Sequence, residues 1–66
     1  MSQSVSFRRA FDRVLRGINV RAVQWSKEYY LTFSQGELWL EPQHISIRIS
    51  QLAVWRVTYK EWEVKV

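Results

Sequence analysis

The chain has 66 residues, no cysteine, a single histidine and a formal net charge of +4. A chain this short is one domain that buries only about 60% of the surface its unfolded form exposes, and without thiols it can have neither disulfide staples nor thiolate metal sites; the lone histidine also argues against structural zinc. With 47% hydrophobic residues and four tryptophans it is too apolar for a disordered tail, yet no run approaches the roughly 20 apolar residues of a membrane span, and no signal-peptide core opens the chain. The expectation is a cytoplasmic protein with no cofactor and no membrane partner.

The first element in chain order is a helix at about 5–16. Phe7, Phe11, Val14, Leu15 and Ile18 recur at i, i+4, i+7, i+8 and i+11, which is one helical face. Ser4 or Ser6 can cap its start, and Gly17 can take the left-handed position that ends it. The opposite face reads Arg8, Arg9, Asp12, Arg13, Arg16. Asp12 can pair with Arg8 and Arg16 one turn away, which leaves Arg9 and Arg13 available to a partner. The charge is uneven along the chain. In residues 1–27, six cations stand against Asp12 alone, a net +5; in residues 28–66, four cations meet five carboxylates, a net −1. Seven of the ten cations are arginine, whose planar fork suits phosphates and carboxylates. Such a basic segment ahead of a near-neutral body points to an anionic partner.

From Val20 onward the apolar period becomes two. A strand at about 20–25, with Val23 and Trp25 turned inward, is followed by strands at about 29–34 and 37–41. Between the latter two, Gln35-Gly36 is a two-residue hairpin turn, because glycine supplies a positive φ. That turn sets Ser34 opposite Glu37, Phe33 opposite Leu38, Thr32 opposite Trp39, Leu31 opposite Leu40 and Tyr30 opposite Glu41. Directly opposed residues share a face, so Leu31, Phe33, Leu38 and Leu40 turn to the core, while Tyr30, Thr32 and Trp39 face outward. A one-residue slip would invert this assignment.

The same alternation runs on. A turn at Pro42-Gln43 sets Leu40 opposite Ile45 and Leu38 opposite Ile47. Ile45, Ile47 and Ile49 read as the inner face of a strand at about 44–50. A connection at 51–53 leads to a strand at about 54–59, with Ile49 opposite Trp55 and Ile47 opposite Val57. A turn at Lys60-Glu61 then leads to a strand at about 62–66. The expected architecture is α+β: one N-terminal amphipathic helix packed on a five- or six-stranded antiparallel meander, or a meander curled into a small barrel. No second helix is visible, so a helix-turn-helix is not expected.

On this register Arg48, Arg56 and Lys65 form a basic row on the outer face, flanked by Glu37 and Glu63, and Trp39 with Tyr30 forms an exposed aromatic pair. Trp, Tyr and Arg are enriched at binding hot spots. The candidate partner-binding residues are therefore Tyr30, Trp39, Arg48, Arg56, Lys65, Arg9 and Arg13. No catalytic or metal-binding set is expected. His44 lies near Glu41, but no nucleophile motif, phosphate-cradling loop or acidic cluster accompanies the pair. The expected function is a non-enzymatic protein-binding module: a small inhibitor, adaptor or regulator of a larger protein, such as a nucleic-acid-processing machine. The alternative is a nucleic-acid-binding module using the Arg-rich helix and the basic row. An open edge at 62–66 would also allow homo-oligomers by strand addition.

Overall fold

A computed structural model describes residues 4–65 of the chain. Helix α1 spans Phe7–Leu15, strand β1 Val20–Ala22, β2 Tyr30–Ser34, β3 Glu37–Glu41 and β4 Ile45–Ser46; helix α2 spans Ile49–Thr58 and strand β5 Trp62–Val64. The fold is α+β. Its five strands form one open antiparallel sheet in the order β4-β3-β2-β1-β5, so the alternative of a meander curled into a small barrel is not formed.

Local chemistry accounts for α1. Ser6 is the N-cap, and its hydroxyl accepts from the Arg9 N–H at 3.4 Å. At the other end Gly17 sits at φ 93°. Its N–H donates to Val14 O, and the Ile18 N–H donates to Arg13 O, each at 3.0 Å. This paired arrangement satisfies carbonyls that a helix end leaves open. The buried side chains of α1 are Ala10 and Val14, with Phe7 and Phe11 packed partly against the core. Leu15 and Ile18, expected on that face, are more than two-fifths exposed.

The central hairpin has the register expected from its turn. Leu31 faces Leu40, Thr32 faces Trp39 and Phe33 faces Leu38. Gln35 and Gly36 both have positive φ, 54° and 78°, the backbone that matches the twist of a two-residue hairpin. Leu31 and Leu38 are buried. The next turn holds too: Leu40 faces Ile45 and Trp39 faces Ser46.

Beyond Ser46 the chain departs from the meander. The residues expected as the end of one strand and the whole of the next form α2 instead, so Ile49 does not face Trp55, nor Ile47 Val57. Leu52, Trp55 and Tyr59, at i, i+3 and i+7, meet the core, while Ile49 is 84% exposed. The helix has no side-chain cap bond at Arg48 and is rich in β-branched residues, which disfavour helix. It is held by aromatic contacts on one side. Trp55 and Tyr59 each meet the rings of Trp25 and Trp62. Trp62 has no exposed surface, and its indole N–H donates to Tyr59 O at 2.9 Å.

The last strand also pairs differently. β5 lies against β1, with Val20 opposite Val64, Arg21 opposite Glu63 and Ala22 opposite Trp62. The chain thus crosses from one edge of the sheet to the other through α2. The outer side of β5 is partly occupied, because Val5 and Trp62 exchange two backbone hydrogen bonds of 2.7 and 2.9 Å. Val66, the final position of the expected strand, lies outside the described residues. β1 itself is short. Val23, expected inward, is 40% exposed, whereas Trp25 leaves the strand and packs on the core from the following turn.

Candidate functional site

Both helices contribute to the cluster that covers the inner face of the sheet: Ala10 and Val14 from α1, Leu52 from α2, and Val20, Ala22, Leu31, Leu38 and Trp62 from the strands. Between the N-terminal half of α1 and the end of α2 lies a groove of about 490 Å³. Phe7, Phe11 and Tyr59 form its apolar walls, and Arg8, Arg56 and Lys60 line it with charge. The walls are the outer layer of the aromatic core. Phe7 stacks on Phe11 with centroids 5.9 Å apart and meets Trp62 edge-on at 5.3 Å. Phe7 and Tyr59 are therefore backed by tryptophan rings, which limits their rotamers.

Arg8, Arg56 and Lys60 form no ion pair with a carboxylate among the described residues. Their nearest chain neighbours of opposite sign are engaged elsewhere. Asp12 pairs with Arg16 at 3.3 Å, and Glu61 accepts from the Ser4 hydroxyl at 2.9 Å. A guest that brings an apolar group flanked by negative charge would bury the first against the rings and satisfy the second at the rim. Along α1 the groove continues into an arginine-lined cleft of Arg8, Arg9, Arg13 and Arg16.

The residues singled out from sequence fall in four places. Arg9 and Arg13 lie on the basic face of α1, in that cleft. Arg56 lies on the last turn of α2, in the groove. Tyr30 and Trp39 lie on the opposite sheet face, alternating with the buried Leu31 and Leu38. Both are half-buried. Trp39 stacks on His44 with centroids 4.2 Å apart and planes 3° from parallel, and its N–H donates to Ser34 O at 3.2 Å. Lys65 Nζ sits 5.8 Å from the Tyr30 ring centroid and donates to Lys27 O at 2.5 Å. The expected row of Arg48, Arg56 and Lys65 does not exist. Arg48 precedes α2 and Arg56 belongs to it, so neither is on a strand, and Lys65 covers Tyr30.

Phe7, Arg8, Phe11, Tyr59 and Lys60 were not legible as a site. Each is ordinary in its own segment, and only the tertiary placement of α1 beside the end of α2, two elements far apart in the chain, unites them. His44 Nδ1 is 2.6 Å from Glu41 Oε2. Among the described residues no three acidic, histidine or cysteine side chains converge to hold a metal ion, and no helix is long and apolar enough to cross a membrane. No family model matches the chain, and neither a curated protein nor a solved structure matches it.

Proposed function

We propose that the protein is a non-enzymatic docking module, a small inhibitor, adaptor or regulator that binds an acidic segment of a larger protein in the groove between α1 and α2. The observation that carries this reading is the union of aromatic walls with three uncommitted cations, Arg8, Arg56 and Lys60. Fully burying one leucine or phenylalanine of the partner there contributes about 1.5–3 kcal/mol. The cations steer encounter and set orientation more than they add affinity. The test is capture from source lysate with and without nuclease, on wild type and on Arg56→Glu/Lys60→Glu. A nuclease-resistant protein that the double variant fails to retain supports the reading. Loss of all captured material on nuclease treatment overturns it.

A second reading, binding of single-stranded nucleic acid, is favoured by one feature. Arg8 and Arg9 are exposed and lie beside Arg13 along one side of α1, a run that suits consecutive phosphates, while Arg16 in the same cleft is paired with Asp12. Its signature is a salt slope near −0.7 per phosphate neutralised.

A further inference from the structure

We infer that the outward face of α2 is a second contact surface, and that it receives an amphipathic, acidic helix of the same partner protein. The inference rests on the docking-module reading and gives the partner's segment a shape. Around α2, Leu52, Trp55 and Tyr59 point to the core. Ile49, Ala53 and Val57, at i, i+4 and i+8, form a stripe on the other side, with Val54 beside it. These are exposed: Ile49 by 84%, Val57 by 65% and Val54 by 53%. Ser50 is the one polar residue that falls within this arc, since the Thr58 hydroxyl is turned back onto Val54 O at 2.8 Å. A helix that is apolar on both sides is normally covered on both sides.

Charge identifies the cover. No aspartate or glutamate occurs from Pro42 to Lys60, while Arg48, Arg56 and Lys60 are present. Arg56 borders both the stripe and the groove, so the two surfaces are continuous. A second copy of the chain would set these cations against their own kind on a molecule of net charge +4. An acidic partner meets them favourably. From Ile49 to Val57 the stripe runs about 12 Å, two helical turns. An apolar ridge at i, i+4 and i+7 on a partner helix matches that length. Such a helix, lying along α2, would place its carboxylates beside Arg48 and Arg56 and its end over the groove.

The test uses a defined probe. Random peptides of about 16 residues, long enough for four turns, are displayed on phage and selected on the full protein. The enriched peptide is then synthesised and titrated by fluorescence anisotropy against wild type, Ile49→Ser/Val57→Ser and Arg56→Glu/Lys60→Glu. Ile49 and Val57 are mostly exposed, so the serine variant keeps its core, and an unchanged circular dichroism spectrum verifies this. The expected peptide carries apolar residues at helical spacing beside Asp or Glu, and the serine variant weakens it roughly tenfold or more, near 1.4 kcal/mol. A peptide that loses affinity only with the groove variant overturns this inference and leaves the docking module standing. A peptide indifferent to both variants overturns both. Dimerisation of the wild type in sedimentation, or its pelleting with phosphatidylglycerol vesicles, abolished by the serine pair in either case, assigns the stripe to a second copy or a lipid surface and likewise overturns the inference.

Discussion

Trp25 meets Trp55 edge to face, with ring centroids 5.0 Å apart and planes inclined at 69°. This contact ties the turn after β1 to the middle of α2. It matters because α2 has one buried side chain, Leu52, no side-chain cap bond at its start and several residues that prefer strands. The helix is stable because the tryptophan cluster selects it. Trp55→Ala should therefore destabilise the protein by about 2–3 kcal/mol, below the range for a fully buried tryptophan because Trp55 is only half-buried. Urea denaturation measures the loss. A fall in helical circular dichroism before global unfolding would show α2 leaving first.

Arg21 is held on the outer side of the sheet by Glu63 and by the carbonyls of Trp25 and Val23. Its side chain is 8% exposed, that of Glu63 23%, and the Arg21 Nε has no hydrogen-bond partner among the described residues. Removing the carboxylate strands a buried cation, so Glu63→Ala should cost about 3 kcal/mol. Arg21→Met should cost less, because the Glu63 carboxylate it leaves behind is the more exposed member of the pair and the change also removes the unpartnered Arg21 Nε. Chemical denaturation of the two variants, compared at one salt concentration, checks the order.

The β2–β3 turn offers a gain as well as a loss. Gln35 adopts φ 54°, which asparagine tolerates better than glutamine. Gln35→Asn should stabilise the protein by roughly 0.5 kcal/mol, and Gly36→Ala should destabilise it by about 1 kcal/mol. An added methyl at Gly36 would meet no atom within 4 Å, so the penalty comes from the backbone alone. Thermal melts of the two variants should move in opposite directions.

The proposed docking distinguishes the two faces of the molecule. Tyr59 and Arg56 line the groove, whereas Trp39 lies across the sheet from it. Tyr59→Ala or Arg56→Glu should weaken the captured protein partner roughly tenfold, and Trp39→Ala should change its affinity by less than about twofold. Isothermal titration with the purified partner reads all three. A large loss at Trp39 would move docking to the outer face of the sheet, beside His44 and Tyr30. If Arg9→Ala/Arg13→Ala costs more than Tyr59→Ala, the ligand is a polyanion on α1.

The parts of this protein determined by sequence alone are those written within a few residues of one another. Ser6 and Gly17 bound α1, and the positive φ at Gly36 places Leu31 and Leu38 inward and Trp39 outward. The interval 44–59 was different. Ile45, Ile47 and Ile49 alternate as in a strand, and α2 carries apolar residues on two opposite sides, so no single helical face stands out from it. The spacings of Leu52, Trp55 and Tyr59 and of Ile49, Ala53 and Val57 were the helical traces. Tertiary structure decided between the two forms, because as a helix this segment brings Trp55 and Tyr59 onto Trp25 and Trp62. It also decided that β5 pairs with β1 and that Arg56 joins Arg8 rather than Lys65. Turn and cap energies act locally, whereas the burial of Trp62 depends on residues from both ends of the chain, and that long-range contact created the groove.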